Sequence, residues 1–109
     1  MDTLNEKLNN IKEKAINGCH IAQFKLGYYL KYCVQFQDNE KRHEDALRWL
    51  LLSASHKNKD ALFLVGLCYK YGEGIEKDYK KAEEYFNLAI KYGNKFAKDS
   101  LESMKKLNK

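Results

Sequence analysis

Three histidines, His20, His43 and His56, and three cysteines, Cys19, Cys33 and Cys68, are the side chains with the reactivity to act as base, nucleophile or metal ligand. Their spacing assigns them little of that chemistry. Cys19 and His20 are adjacent, and neighbours on a helix point about 100° apart, which denies the thiol and imidazole the hydrogen bond a nucleophile–base pair needs. The cysteines are odd in number and lack CxxC spacing, a pattern that suits reduced thiols in a packed interior better than a disulfide framework. No HExxH, CxxC, DxDxDG or GxxxxGK[ST] arrangement occurs, so neither a metal site nor a phosphate loop has support. Gly72-Glu73-Gly74 could be read as a nucleotide-binding turn, but a helical pattern precedes it where such a turn follows a strand, and helix capping explains both glycines. Each histidine lies beside polar, loop-like sequence and is expected at the surface. The expectation is a protein with no catalytic residues, no metal or cofactor and no small-molecule substrate.

The elements that would position any other function are helical. The chain has 109 residues, 44% hydrophobic and 32% charged, the mixture of one globular domain with a sizeable core. Proline is absent, so only glycine and asparagine interrupt helices. The acidic, polar start Met1–Glu6 does not resemble a secretion signal, and no window approaches the roughly 18 apolar residues of a membrane span, so a soluble, cytoplasmic protein is expected. The net charge of +5 is spread along the length with no basic run beyond Lys-Lys pairs, which predicts a solvated surface with a mild preference for acidic partners. Nucleic-acid binding is the alternative that a pI near 9.0 raises. Arg42 and Arg48 are the only arginines, and lysine spread so evenly does not favour a phosphate-tracking surface.

An internal repeat organises these helices. Ala61-Leu62-Phe63-Leu64-Val65-Gly66-Leu67-Cys68-Tyr69-Lys70-Tyr71 lies over Ala22-Gln23-Phe24-Lys25-Leu26-Gly27-Tyr28-Tyr29-Leu30-Lys31-Tyr32 without a gap, 39 residues on. Ala82–Phe86 lies over Ala46–Leu50, 36 residues on, so the first copy carries three extra loop residues. The same step of 36 carries Lys57-Asn58 onto Gly93-Asn94 and Ala61 onto Ala97, opening a third copy. Ala22, Leu26, Tyr29 and Cys33 share a helical stripe with the pattern of Ala61, Val65, Cys68 and Gly72. Ala82, Tyr85, Phe86, Ala89 and Ile90 form another, matched by Ala46, Trp49, Leu50, Ser53 and Ala54. Thr3-Leu4-Asn5-Glu6 has capping-box spacing, Gly72 fits a C-terminal cap, and Asp78 fits an N-cap. Six helices follow, over 3–17, 20–33, 40–55, 59–71, 79–91 and 94–107. Short connections make them antiparallel pairs that stack on their neighbours.

Leu/Val-Gly-x-x-Tyr, then Gly-x-Gly-Ile, then Asp-x-x-Lys-Ala, ending at Gly, resembles the Sel-one-like repeat, a relative of the tetratricopeptide repeat. Val65, Gly66, Tyr69, Gly72, Gly74, Ile75, Asp78, Lys81, Ala82, Tyr85, Ala89 and Gly93 carry the resemblance. The first copy departs from it at Leu30, at Cys33 and through Gln35-Phe36-Gln37-Asp38. The resemblance implies an all-α, short right-handed solenoid: a capping helix in 1–19, a degenerate repeat in 20–56, a well-formed repeat in 57–92 and a partial repeat in 93–109. A secreted bacterial branch of that family staples its helix pairs with disulfides, at positions that align with Ala54 or Ile90 and with Gln23 or Leu62. None of these is cysteine here. The family supplies adaptors and scaffolds, and small bacterial members can neutralise a toxin by direct binding, so the implied role is a protein-binding adaptor, inhibitor or immunity protein. Ligand positions of the related tetratricopeptide groove fall on Ile21, Phe24, Tyr28, Lys31 and Tyr32, and on Asp60, Phe63, Leu67, Lys70 and Tyr71. Phe24, Tyr28, Lys31, Tyr32, Phe63, Leu67, Lys70 and Tyr71 are therefore the expected partner-binding residues, the two lysines serving an acidic partner.

Overall fold

Apolar stripes at helical spacing, punctuated by asparagine, aspartate and glycine, produce a chain of helices in the computed structural model, which describes residues 3–32 and 39–107. These are α1 (Thr3–Ile16), α2 (His20–Tyr32), α3 (Asn39–Ser55), α4 (Lys59–Tyr71), α5 (Tyr79–Lys91) and α6 (Ala97–Leu107), with no strand among the described residues. Each helix packs on the next along the chain, giving an all-α solenoid 52 × 31 × 18 Å in extent. No helix among the described residues is long and apolar enough to cross a membrane. Cys33, Gln35–Asp38 and the side chains of the Thr3-Leu4-Asn5 capping box lie outside the described residues.

Most described residues of the expected stripes are buried or half-buried, though Gly72 is exposed. Leu47, Leu50, Val65, Cys68, Phe86, Leu101 and Met104 belong to one cluster spanning α3 to α6. Ala15, Ala22 and Leu26 form a smaller one, with Trp49 half-buried against it. Ile90, expected in the core, is instead exposed, because Ala89 beside it takes the inward position. Gly27 and Gly66 allow the two helices of each repeat to approach. A Cβ on Gly27 would lie 2.7 Å from Leu50 Cγ, and one on Gly66 would lie 2.6 Å from Phe86 Cδ1. Leu50 and Phe86 are themselves equivalent residues of the two copies, so one contact is built twice.

The caps also set the spacing between repeats. Asn58 Oδ1 accepts from the backbone N–H groups of Asp60 and Ala61, capping α4, while its Nδ2 lies 3.3 Å from His20 Nδ1 at the start of α2. Asn94 does the same one repeat later: Oδ1 accepts from Phe96 and Ala97, and Nδ2 donates to Asp60 Oδ1 at 3.0 Å. The predicted start of the last helix at 94 is thus corrected to Ala97, since Asn94 spends its side chain on capping. Two asparagines tie the first turns of α2, α4 and α6 into one row. Asp78 caps α5 and Gly72, at φ 69°, closes α4 through its N–H to the Cys68 carbonyl.

Candidate interaction groove

Phe24, Tyr28 and Tyr32 recur every four residues and stand above one another on α2, their ring centroids 6.0 and 4.9 Å apart. Phe63, Leu67 and Tyr71 repeat that spacing on α4. Because the asparagine caps hold α2, α4 and α6 in a row, these faces enclose a depression of about 300 Å³ lined by Phe24, Tyr28, Asp60, Phe63, Leu64, Asn94 and Phe96. The Phe63 ring lies 6.1 Å from Phe96 and 6.0 Å from Phe86, so the surface aromatics rest directly on the core. Tyr28 remains 46% exposed and Phe96 65% exposed.

Of the expected binding residues, Phe24, Tyr28 and Phe63 come together in this depression. Tyr32 and Tyr71 are exposed farther along α2 and α4, and Leu67 is half-buried against the core. Tyr71 faces a separate hollow of about 770 Å³ shared with His43, Glu73 and Ile75. Burial together with the charge of Glu73 pushes the Tyr32 phenol up to about 12. Leu64, Asn94 and Phe96 were not anticipated. Asn94 carried a signal in its repetition of Asn58; Phe96 had none, because the third copy keeps too little of the pattern to be aligned residue by residue.

Lys31 and Lys70 correct the expectation of two groove cations facing an acidic partner. Both are buried. Lys31 Nζ donates to Glu73 Oε1 at 2.6 Å, across to the loop after α4, and lies 5.1 Å from the Tyr32 ring centroid. Lys70 Nζ sits 5.0 Å from the Tyr71 centroid. The stems of both lysines follow apolar surface, so their charges are used inside the fold.

Of the histidines expected at the surface, His56 is exposed, while His20 and His43 are half-buried. His20 stacks on His56 with centroids 5.7 Å apart. His43 Nε2 lies 3.8 Å from Glu73 Oε2, while its buried Nδ1 has no partner. Burial holds the His43 imidazole below its ordinary value, against the pull of Glu73 and with help from Lys31 and Arg42. The folded state therefore takes up this proton less readily than the unfolded chain. The resulting stability is complete above about pH 6.5 and is lost as pH falls below that value. Thermal melts at about pH 7.5 and about pH 5.5 should show a loss on acidification that His43→Gln reduces. An equal loss in both proteins would assign the dependence to other groups.

The family model described as Sel1 repeat matches residues 20–58 and 59–94. A Sel1 repeat protein from Oxalobacter formigenes superposes with a TM-score of 0.77 at 24% identity, over 86% of this chain and 26% of its own. A protective antigen present in uropathogenic Escherichia coli strains, displaying an SLR fold, superposes with a TM-score of 0.77 at 29% identity, over 89% of this chain and 20% of its own. The chain thus spans about a quarter and a fifth of the lengths of these two proteins. No curated protein matches it.

Proposed function

The chain belongs to the Sel1 repeat family, and from that premise we propose that it is a non-catalytic module that binds a protein in the aromatic groove of α2, α4 and the start of α6. Repeats of this family generally mediate protein–protein interaction. One observation carries the reading to this surface: Tyr28, Tyr32, Tyr71 and Phe96 remain exposed along the row of helices that the asparagine caps align. Aromatic side chains left in water at a concave surface offer large apolar area, and tyrosine adds a hydroxyl at low conformational cost. A small adaptor or inhibitor is the role that fits, including that of an immunity protein that neutralises a toxin by occupying it. A cytoplasmic setting accords with Cys19 and Cys68 as free thiols.

The test compares affinity capture from the source cells by the wild type and by a Tyr28→Ala/Tyr32→Ala variant, with thermal melts of both. We expect affinity for the captured partner to fall by at least about 2 kcal/mol, the scale of an interface hot spot, while the melting temperature changes little because both rings are half in water. Undiminished capture by a folded variant would remove the groove from the interface.

A further inference from the structure

We infer that the depression between α2, α4 and the start of α6 receives an arginine side chain of the protein partner. The inference rests on the protein-binding reading above and gives that partner a chemistry. Phe24, Tyr28, Phe63 and Phe96 line the depression, and Asp60 is the one charged side chain among its lining residues. Ring faces carry the negative part of the aromatic quadrupole, so rings beside a carboxylate form a surface that attracts a cation.

Four of the chain's other tyrosines already hold a cation on their rings. Lys31, Lys70, Lys77 and Lys91 each place an ammonium over the ring of a tyrosine one or two residues on, Tyr32, Tyr71, Tyr79 and Tyr92, at 4.7 to 5.6 Å from the centroid. No described cation covers Phe24, Tyr28, Phe63 or Phe96 in this way, and Asp60 has no ion-pair partner among the described residues. Asp60 is also held in place: Asn94 Nδ2 donates to Oδ1 at 3.0 Å, so the carboxylate is positioned without being neutralised.

Arginine fits this surface better than lysine. Its planar guanidinium stacks on rings, forms a two-pronged contact with a carboxylate and is more weakly hydrated than an ammonium. The chain's net charge of +5 opposes a cation at long range. That opposition is screened over about 8 Å at physiological salt, and Lys57 and Lys59 line a different depression, one that Asp60 also borders.

The experiment uses the full chain, isotope-labelled, titrated with acetyl-arginine methylamide and separately with acetyl-citrulline methylamide, which keeps the shape and loses the charge. Ionic strength is held constant. We expect saturable shifts in the ring resonances of Phe24, Tyr28, Phe63 and Phe96 with the arginine probe, and at least about fivefold weaker binding of the citrulline probe. Asp60→Asn, which retains an oxygen acceptor for Asn94, should weaken arginine binding by a similar factor. Equal binding of both probes, shifts elsewhere or no shifts overturn the inference, and this comparison on the wild type stands even if Asp60→Asn does not fold. Partner capture that is lost with Tyr28→Ala/Tyr32→Ala yet unchanged by a folded Asp60→Asn would overturn the arginine and keep the groove. Capture indifferent to both variants would overturn the groove itself.

Discussion

Phe86→Ala should lower the unfolding free energy by about 3–5 kcal/mol, and Gly66→Ala by about 1–3 kcal/mol, yet the double variant should cost less than the two together by at least about 1 kcal/mol. Phe86 is fully buried, so truncating it removes a large apolar surface and leaves a cavity at the centre of the well-formed repeat. Gly66 faces that ring so closely that a Cβ would lie 2.6 Å from both Cδ1 and Cε1. Alone, the added methyl must push the ring off its packing. With the ring gone, the methyl enters the space it leaves. Urea denaturation of the four proteins, with slopes compared to confirm that the unfolded states match, measures the coupling. Strictly additive costs would mean that α4 and α5 do not meet at this pair.

That contact was legible because both of its members recur. Gly27 and Gly66 occupy one place in the copies, as do Leu50 and Phe86, and a glycine inside two otherwise apolar helices has no propensity reason to be there. Close packing is the remaining explanation, and the structure supplies it. The groove was legible only in part. Phe24, Tyr28 and Phe63 follow from helical spacing, but helices apolar on nearly every face do not reveal which side meets a neighbour. Lysine was misleading for a related reason. Its long stem belongs to the apolar surface and its head to water or to a carboxylate, so Lys31 at a groove position is in fact buried. Its partner Glu73 lies 42 residues away in a loop, a distance over which periodicity is silent.

Removing the Glu73 carboxylate should cost more than removing the Lys31 ammonium, although each breaks the same ion pair. The Lys31 side chain is only 2% exposed and Glu73 is 33% exposed. Glu73→Ala leaves a buried ammonium without its acceptor, for which about 1–3 kcal/mol is expected, less than for a fully buried pair because the carboxylate already reaches water. It also frees the loop at Gly74, which is seated against the backbone carbonyl of His43 on α3. Lys31→Met keeps the apolar stem and leaves a carboxylate that can turn outward, so its cost should stay below about 1 kcal/mol. The double variant should resemble Lys31→Met, because an ammonium that is absent cannot be stranded. Lys70 provides the control within the same protein. It occupies the equivalent position, is buried, and has a tyrosine ring but no carboxylate partner among the described residues. Lys70→Met should therefore be neutral or stabilising. Chemical denaturation of the four variants ranks them, and equal costs for Glu73→Ala and Lys31→Met would show that solvent reaches Lys31 and that the pair does not pin the loop between repeats.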